Sequence, residues 1–197
     1  AGATWRVGYL GQVLGMLVIM LGSGLWMLVD PDRDDALVRL GVTSLLGLWM
    51  PFLGSFAILI AGLEDGRFAL LLVIACTAMA DIGAYAVGSQ VGRHKIAPRL
   101  SPNKSWEGLV GGLVVAALVG WGLATWLFPE FDDGRAVLVG LACAVAGFGG
   151  DLFESMVKRD LGIKDFGSLL PGHGGVLDRV DAILAALPVG YLVLVMT

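Results

Sequence analysis

Long apolar stretches, six in all and separated by charged segments, limit how this 197-residue chain can fold more than any other feature. A helix that crosses the hydrocarbon core of a bilayer needs about 20 apolar residues, and each stretch is close to that length. Hydrophobic residues make up 57% of the chain and charged residues only 15%. The predicted spans are residues 8–29, 41–63, 68–91, 109–128, 136–157 and 180–196. The sequence therefore predicts an all-α fold, a polytopic transmembrane helical bundle with about six spans.

Basic residues are distributed unevenly between the two sides of the predicted bundle. If the odd-numbered spans run towards the cytoplasm, ten of the 13 lysines and arginines lie on the inner side and three on the outer side. Both long loops, residues 92–108 and 158–179, are then cytoplasmic, where nucleotides are available. We therefore expect a multi-pass protein of the cell inner (plasma) membrane whose active site faces the cytoplasm. The net charge of −4 is small, and we expect no nucleic acid as a partner.

Three aspartates lie in or beside the last two apolar segments, where a charged side chain is costly. Asp151 is inside the fifth span, and Asp178 and Asp181 share one face at the start of the sixth. The fifth span also presents four polar residues along one face, at i, i+3, i+4 and i+7, namely Asp151, Glu154, Ser155 and Lys158. If the two helix ends converge, they form an oxygen-rich site that suits Mg²⁺. The predicted metal ligands are Asp151, Ser155, Asp178 and Asp181, and the role of Glu154 stays open.

Two alternatives use the same residues without an enzymatic metal site. In the first, the three aspartates pair with Lys158, Arg159 and Arg179 and only stabilise the bundle. In the second, the chain is an ion-coupled transporter, since carboxylates inside a membrane also line ion pathways. Long loops with closely specified glycine, lysine and histidine positions favour an enzyme. Cys76 and Cys143 lie in separate apolar segments, which disfavours a disulfide or a zinc site.

The loop between the last two spans carries a specific pattern. The segment SMVKRDLGIKDFGSLLPGHGGVLDRVD, residues 155–181, resembles the signature of the phosphatidate cytidylyltransferases, also called CDP-diacylglycerol synthases. The matching positions are Ser155, Lys158, Arg159, Lys164, Asp165, Gly167, Leu170, Pro171, His173, Gly174, Gly175, Asp178, Arg179 and Asp181. A second segment, DIGAYAVGSQVGRHKIAPRLSPNKSWEG at residues 81–108, resembles the other polar region of that family. Its matching positions are Asp81, Gly83, Tyr85, Gly88, Gly92, Lys95, Ser101, Pro102, Lys104, Ser105, Trp106, Glu107 and Gly108.

This resemblance implies an activity and a division of the chain. The activity is transfer of CMP from CTP to phosphatidic acid, which gives CDP-diacylglycerol and pyrophosphate and uses Mg²⁺. A second cation, with potassium as the candidate, and a homodimer are also implied. Residues 68–197 are expected to form the catalytic transmembrane core, and residues 1–67 a set of N-terminal transmembrane helices that is truncated relative to the family. Related activities that share a CTP site are a CTP-dependent polyprenol kinase and an ether-lipid cytidylyltransferase.

Both implied substrates are anionic, so their phosphates need positive charge or N–H donors nearby. The expected catalytic residues are Asp151, Lys158, Asp178 and Asp181. The expected substrate-binding residues are Asp81, Lys95, Ser101, Lys104, Ser105, Arg159, Lys164, His173, Gly174 and Gly175. Each basic residue also fits positive-inside anchoring, His173 also fits a bracing role in its loop, and Ser105 also fits a helix cap. These alternatives stay open at the level of the sequence.

Overall fold

The structure is a computed structural model that describes residues 2–29, 35–163, 166 and 177–196, with only the backbone for residues 2–7, 9, 48 and 177–179. The described residues form six α-helices and one two-stranded hairpin. In chain order these elements are α1 (Gly2–Val29), α2 (Ala36–Ala61), α3 (Gly66–Val91), β1 (Lys95–Ala97), β2 (Ser101–Ser105), α4 (Trp106–Leu127), α5 (Asp133–Asp160) and α6 (Leu177–Met196). The predicted all-α bundle is confirmed.

The lengths of the helices match the apolar pattern of the sequence. Among the described residues, five helices are long and apolar enough to cross a membrane, and α6 contributes a shorter apolar segment, Val180–Met196. The chain is therefore a multi-pass membrane protein. The chain divides into two compact units, Ala1–Gly66 and Arg67–Thr197. This division lies one residue before the boundary expected from the sequence, and the catalytic role of the second unit stays a prediction.

The first unit consists of α1 packed antiparallel against α2. The Gln12 side chain donates a hydrogen bond from Nε2 to Ser55 Oγ at 2.8 Å. Helix α2 continues without interruption through Pro51, so this proline does not end the helix. Gly11 and Gly15 have the spacing of close helix contacts, but both face open space and line a cavity of about 340 Å³ in this unit.

In the second unit, small residues let the helices approach closely. A Cβ atom at Gly112 of α4 would lie 2.7 Å from the Ala80 carbonyl oxygen of α3. A Cβ atom at Gly150 of α5 would overlap the Cβ atom of Ala185 in α6. Backbone contact at these positions leaves no room for larger residues. It therefore fixes the distance between the helices that carry the polar residues.

The first long loop contains an element that the sequence analysis did not predict. Strands β1 and β2 pair antiparallel with Lys95 opposite Ser105, and β2 leads directly into α4. The Ser105 hydroxyl accepts a hydrogen bond from the Gly108 backbone N–H at 3.2 Å, which confirms it as the N-cap of α4. At the start of the hairpin, the Glu107 carboxylate accepts hydrogen bonds from the backbone of Arg93 and His94. The hairpin thus has a defined position at the end of the helices.

Candidate functional site

A cavity of about 420 Å³ lies in the second unit, where α3 and α5 end and where α4 and α6 begin. The structure brings together seven of the residues that the sequence analysis assigned to a site. These are Asp81, Ser101, Lys104, Ser105, Asp151, Lys158 and Asp181. They come from α3, β2, α5 and α6, so residues far apart in the sequence share one polar cavity.

Three carboxylates converge in this cavity and form what we call the acidic cluster: Asp151, Glu154 and Asp181. One oxygen of each lies within 4.8 Å of the others. Glu154 is 2% exposed and Asp181 is 7% exposed. The close contact of α5 and α6 at Gly150 causes this proximity, because it places the Asp151 turn of α5 beside the first turns of α6.

Two lysines partly neutralise the acidic cluster. Lys104 Nζ lies 2.7 Å from Asp151 Oδ2, and Lys158 Nζ lies 3.0 Å from Glu154 Oε2. Three carboxylates therefore face two ammonium groups. The other Glu154 oxygen, Oε1, is buried and accepts no hydrogen bond from the described residues. A buried carboxylate oxygen without a donor is costly unless a cation or another donor binds it.

Of the two remaining predicted metal ligands, Ser155 and Asp178, the structure describes the side chain of Ser155. Ser155 Oγ donates to Asp151 Oδ1 at 3.4 Å, so the hydroxyl contacts a cluster carboxylate. The purely structural alternative expected the three aspartates to pair with Lys158, Arg159 and Arg179. The described ion pair of Asp151 is instead to Lys104 of the hairpin. The side chains of Asp178 and Arg179 lie outside the described residues.

Other predicted substrate-binding residues lie away from the cavity or outside the described part. Lys95 on β1 and Arg159 near the end of α5 are exposed, and neither belongs to the described cavity lining. Lys164, His173, Gly174 and Gly175 lie outside the described residues. Their roles stay predictions.

The other seven residues of the cavity lining had no role predicted from the sequence: Ala84, Tyr85, Asn103, Gly108, Leu109, Phe148 and Glu154. Glu154 did carry a signal, since it follows Asp151 by three residues on the same helix face. Phe148 did not. Its ring and carbonyl contact Lys104, and a contact between a helix and a distant hairpin has no local sequence pattern.

Glu107 connects the hairpin to the first turn of α4. Its carboxylate accepts hydrogen bonds from the backbone N–H groups of Arg93 and His94, both at 3.2 Å. Its Oε1 also lies 2.6 Å from His94 Nδ1. In addition, the Trp106 backbone N–H donates to the His94 carbonyl at 3.0 Å. These contacts, which we call the Glu107 clasp, hold both ends of the segment that presents Lys104.

Comparison with known proteins agrees with the chemistry of this site. The sequence model of the Cytidylyltransferase family matches residues 3–197. A protein of Mycobacterium leprae (strain TN) named phosphatidate cytidylyltransferase is 36% identical, over 97% of this chain and 66% of that relative. A protein of the same name from Haemophilus influenzae (strain Rd) is 42% identical, over 62% of this chain and 44% of the relative. The chain thus spans less than two thirds of the length of these relatives. It belongs to the cytidylyltransferase family.

Proposed function

We propose that this protein transfers CMP from CTP to phosphatidic acid and releases CDP-diacylglycerol and pyrophosphate. One observation carries the proposal: a chain of the cytidylyltransferase family places three carboxylates and two lysines around a single cavity. Relatives that share its sequence are named phosphatidate cytidylyltransferase, which supports phosphatidic acid as the acceptor.

The reaction joins two anionic groups. An oxygen of the lipid phosphate attacks the α-phosphorus of CTP, and the bond from that phosphorus to the oxygen bridging the β-phosphorus breaks. Pyrophosphate leaves with the bonding electron pair. Because the lipid phosphate is already ionised, no side-chain nucleophile and no general base are needed. The barrier comes mainly from charge repulsion and positioning, so neutralisation of the phosphates is the main task of the protein.

The acidic cluster fits magnesium. Oxygen donors of carboxylates are the ligands that Mg²⁺ prefers, and the unsatisfied Glu154 Oε1 is available for a cation. We propose Asp151, Glu154 and Asp181 as ligands, with Ser155 and Asp178 as further ligands. Bound Mg²⁺ would neutralise phosphate oxygens and so favour attack at phosphorus. A second cation, with potassium as the candidate, belongs to the same proposal.

The lysines of the cavity have a separate task. Lys104 and Lys158 present ammonium groups beside the acidic cluster, where they can bind phosphate oxygens next to the cation. Asp81, Ser101 and Ser105 line the same cavity and are proposed to contact the nucleotide. Lys95, Arg159, Lys164, His173, Gly174 and Gly175 remain proposed substrate contacts from the basic loops.

The assay uses the purified chain in lipid nanodiscs with Mg²⁺, phosphatidic acid and CTP labelled at either the α- or the γ-phosphate. We expect α-label in CDP-diacylglycerol and γ-label only in pyrophosphate. A polyprenol kinase would transfer γ-label to a prenol, and an ether-lipid cytidylyltransferase would transfer α-label to an ether lipid in preference to phosphatidic acid. Absence of lipid label with folded protein would also contradict the proposal.

We further propose that the cavity faces the cytoplasm of the inner membrane and that the protein is a homodimer. Single cysteines at two exposed positions, Arg99→Cys in the hairpin and Glu130→Cys between α4 and α5, test the orientation. The native Cys76 and Cys143 are fully buried, which keeps background labelling low. In intact cells, an impermeant maleimide should label Glu130→Cys, whereas Arg99→Cys should react only after lysis. The reverse pattern would overturn the orientation. Mass measurement in native nanodiscs tests the dimer.

A further inference from the structure

Lys104 reaches from the hairpin into the acidic cluster and contacts α5 in three ways. Its Nζ atom lies 2.7 Å from Asp151 Oδ2 and donates a hydrogen bond to the Phe148 carbonyl at 3.2 Å. The same atom lies 4.4 Å from the centre of the Phe148 ring. Only 14% of the side chain is exposed. The ammonium group therefore has a defined position, although the hairpin that carries it is a separate element.

This position competes with the use of Asp151 as a ligand for a divalent cation. Asp151 Oδ2 pairs with Lys104, and Asp151 Oδ1 accepts a hydrogen bond from Ser155. A divalent cation on the same carboxylate would stand close to the ammonium group and repel it. Salt screens this repulsion only in part, because the Lys104 side chain is 14% exposed, although that of Asp151 is 36% exposed.

We propose that Lys104 is the resident counter-cation of the acidic cluster: its ammonium neutralises Asp151 until a divalent cation binds, and then moves from Asp151 to a substrate phosphate. The destination of the ammonium rests on the proposed function. The exchange needs no backbone movement, since a lysine ammonium sits on a flexible four-carbon chain. The cavity of about 420 Å³ provides the space.

Lys158 is placed differently. It pairs with Glu154 one turn away on the same helix, so it stays beside the acidic cluster in any arrangement of the hairpin. Lys104 alone joins the hairpin to Asp151 by an ion pair in the described part of the chain. The exchange therefore couples cation binding to nucleotide binding through one side chain, and by linkage each binding event strengthens the other.

The first test measures Mn²⁺ binding to the purified chain without nucleotide, by electron paramagnetic resonance. Lys104→Gln removes the competing charge but keeps a hydrogen-bond donor. Because exposed ion pairs affect equilibria up to about fivefold, and Lys104 is mostly buried, we expect Mn²⁺ to bind at least about fivefold more tightly. Arg99→Gln is the control, since it removes one exposed positive charge from the same hairpin. It should change Mn²⁺ affinity by less than about twofold. Unchanged or weaker binding in Lys104→Gln would overturn the exchange.

A second test uses the unmodified protein and does not depend on folding of a variant. Amine-reactive labelling followed by mass spectrometry measures the accessibility of Lys104 with and without Mn²⁺. If Mn²⁺ releases Lys104 from Asp151, labelling of Lys104 should increase severalfold when Mn²⁺ is added. Unchanged labelling of Lys104 in the presence of Mn²⁺ would contradict the exchange. If the unmodified protein does not transfer CMP, but Lys104→Gln still binds Mn²⁺ more tightly than it does, the proposed function alone is refuted. If the unmodified protein transfers CMP, but Lys104→Gln binds Mn²⁺ no more tightly, the exchange alone is refuted.

Discussion

Both ends of the second unit place charged side chains among apolar helices, but the contacts of these side chains differ between the two ends. At the packed end, where α3 and α5 begin and α4 and α6 end, the rings of Phe68 and Phe128 stack at 4.8 Å. Arg135 lies 5.2 Å from the centre of the Phe131 ring and donates a hydrogen bond to the Leu194 carbonyl. At the open end, the acidic cluster surrounds a cavity and brings three carboxyl groups together with two lysine partners.

The charged side chain of Arg135 at the packed end stabilises the fold, whereas the acidic cluster at the open end is arranged to bind a ligand. Arg135 places a cation on a carbonyl near the end of α6, where the helix dipole favours it, and on an aromatic face. Arg135 Nε and Glu154 Oε1 are both buried without a hydrogen-bond partner among the described residues. The two ends therefore differ in the number and sign of their groups: one cation lies on a carbonyl and a ring at the packed end, and three carboxyl groups surround a cavity at the open end. Changes at the open end should therefore affect activity, and changes at the packed end should affect stability.

The largest effect is expected for Asp181→Asn. This substitution keeps the size of the side chain but removes one charge from the acidic cluster. Loss of a single electrostatic group in an active site commonly lowers turnover by about 10²–10³-fold, and we expect a loss of that size with unchanged thermal stability. Radiolabelled CMP transfer and Mn²⁺ binding measure the effect.

Asp133→Asn is the matched control for Asp181→Asn. Asp133 is an exposed aspartate in the first turn of α5, at the packed end, and its Oδ1 accepts a hydrogen bond from the Thr125 hydroxyl at 3.3 Å. Its replacement should leave turnover nearly unchanged. Similar losses in both variants would remove the distinction between the two ends, and near-normal turnover in Asp181→Asn would remove the metal site.

Two adjacent glycines test how far the position of the helices controls the acidic cluster. In Gly150→Ala the new methyl group would overlap Ala185, so α5 must move away from α6. Overpacking of this kind costs about 1–3 kcal/mol, and a shift of about 1 Å can lower turnover up to 100-fold. In Gly149→Ala the methyl group meets no atom within 4 Å, and we expect normal stability and turnover. Equal behaviour of the two variants would show that helix spacing does not limit activity.

Much of the fold follows from the sequence because bilayer thickness restricts it so strongly. All six apolar segments became helices, since a backbone in hydrocarbon must satisfy its hydrogen bonds internally. The hairpin was missed because its strands are short and β2 contains Pro102, which disfavours a strand prediction. Outside the apolar segments, residue pattern constrained the backbone much less.

The candidate site was predictable where its residues share a helix face or lie at the same end of two predicted spans. The spacing of Asp151 and Glu154 indicates a common face, and the position of Asp181 at the start of α6 indicates the same end of the bundle. The pairing of Asp151 with Lys104 was not predictable. It depends on how the hairpin folds over α5, and the sequence pointed to basic residues of a nearer loop instead.

Arg135→Met tests the packed end. It removes the hydrogen bond to the Leu194 carbonyl and the contact with Phe131, and hydrogen bonds from charged groups contribute about 1.5–3 kcal/mol. We expect a lower midpoint of thermal unfolding and unchanged kinetics per folded molecule. Arg67→Met, at an exposed arginine of the same end, should change stability by less than about 0.5 kcal/mol. A selective loss of turnover in Arg135→Met would show that the packed end also takes part in catalysis.

The smallest effect is expected for the Glu107 clasp, which belongs to the open end but touches no cluster residue in the described contacts. Glu107→Gln keeps one carbonyl acceptor but loses the charge that faces two backbone N–H groups and His94. A looser hairpin should present Lys104 less often, so KM for CTP should rise severalfold while kcat changes little. Glu107→Asp, which retains the charge, should recover part of the loss. An equal fall in kcat with an unchanged KM would instead mean that Glu107 acts on the reacting groups, and the clasp would then be part of the active site rather than its support.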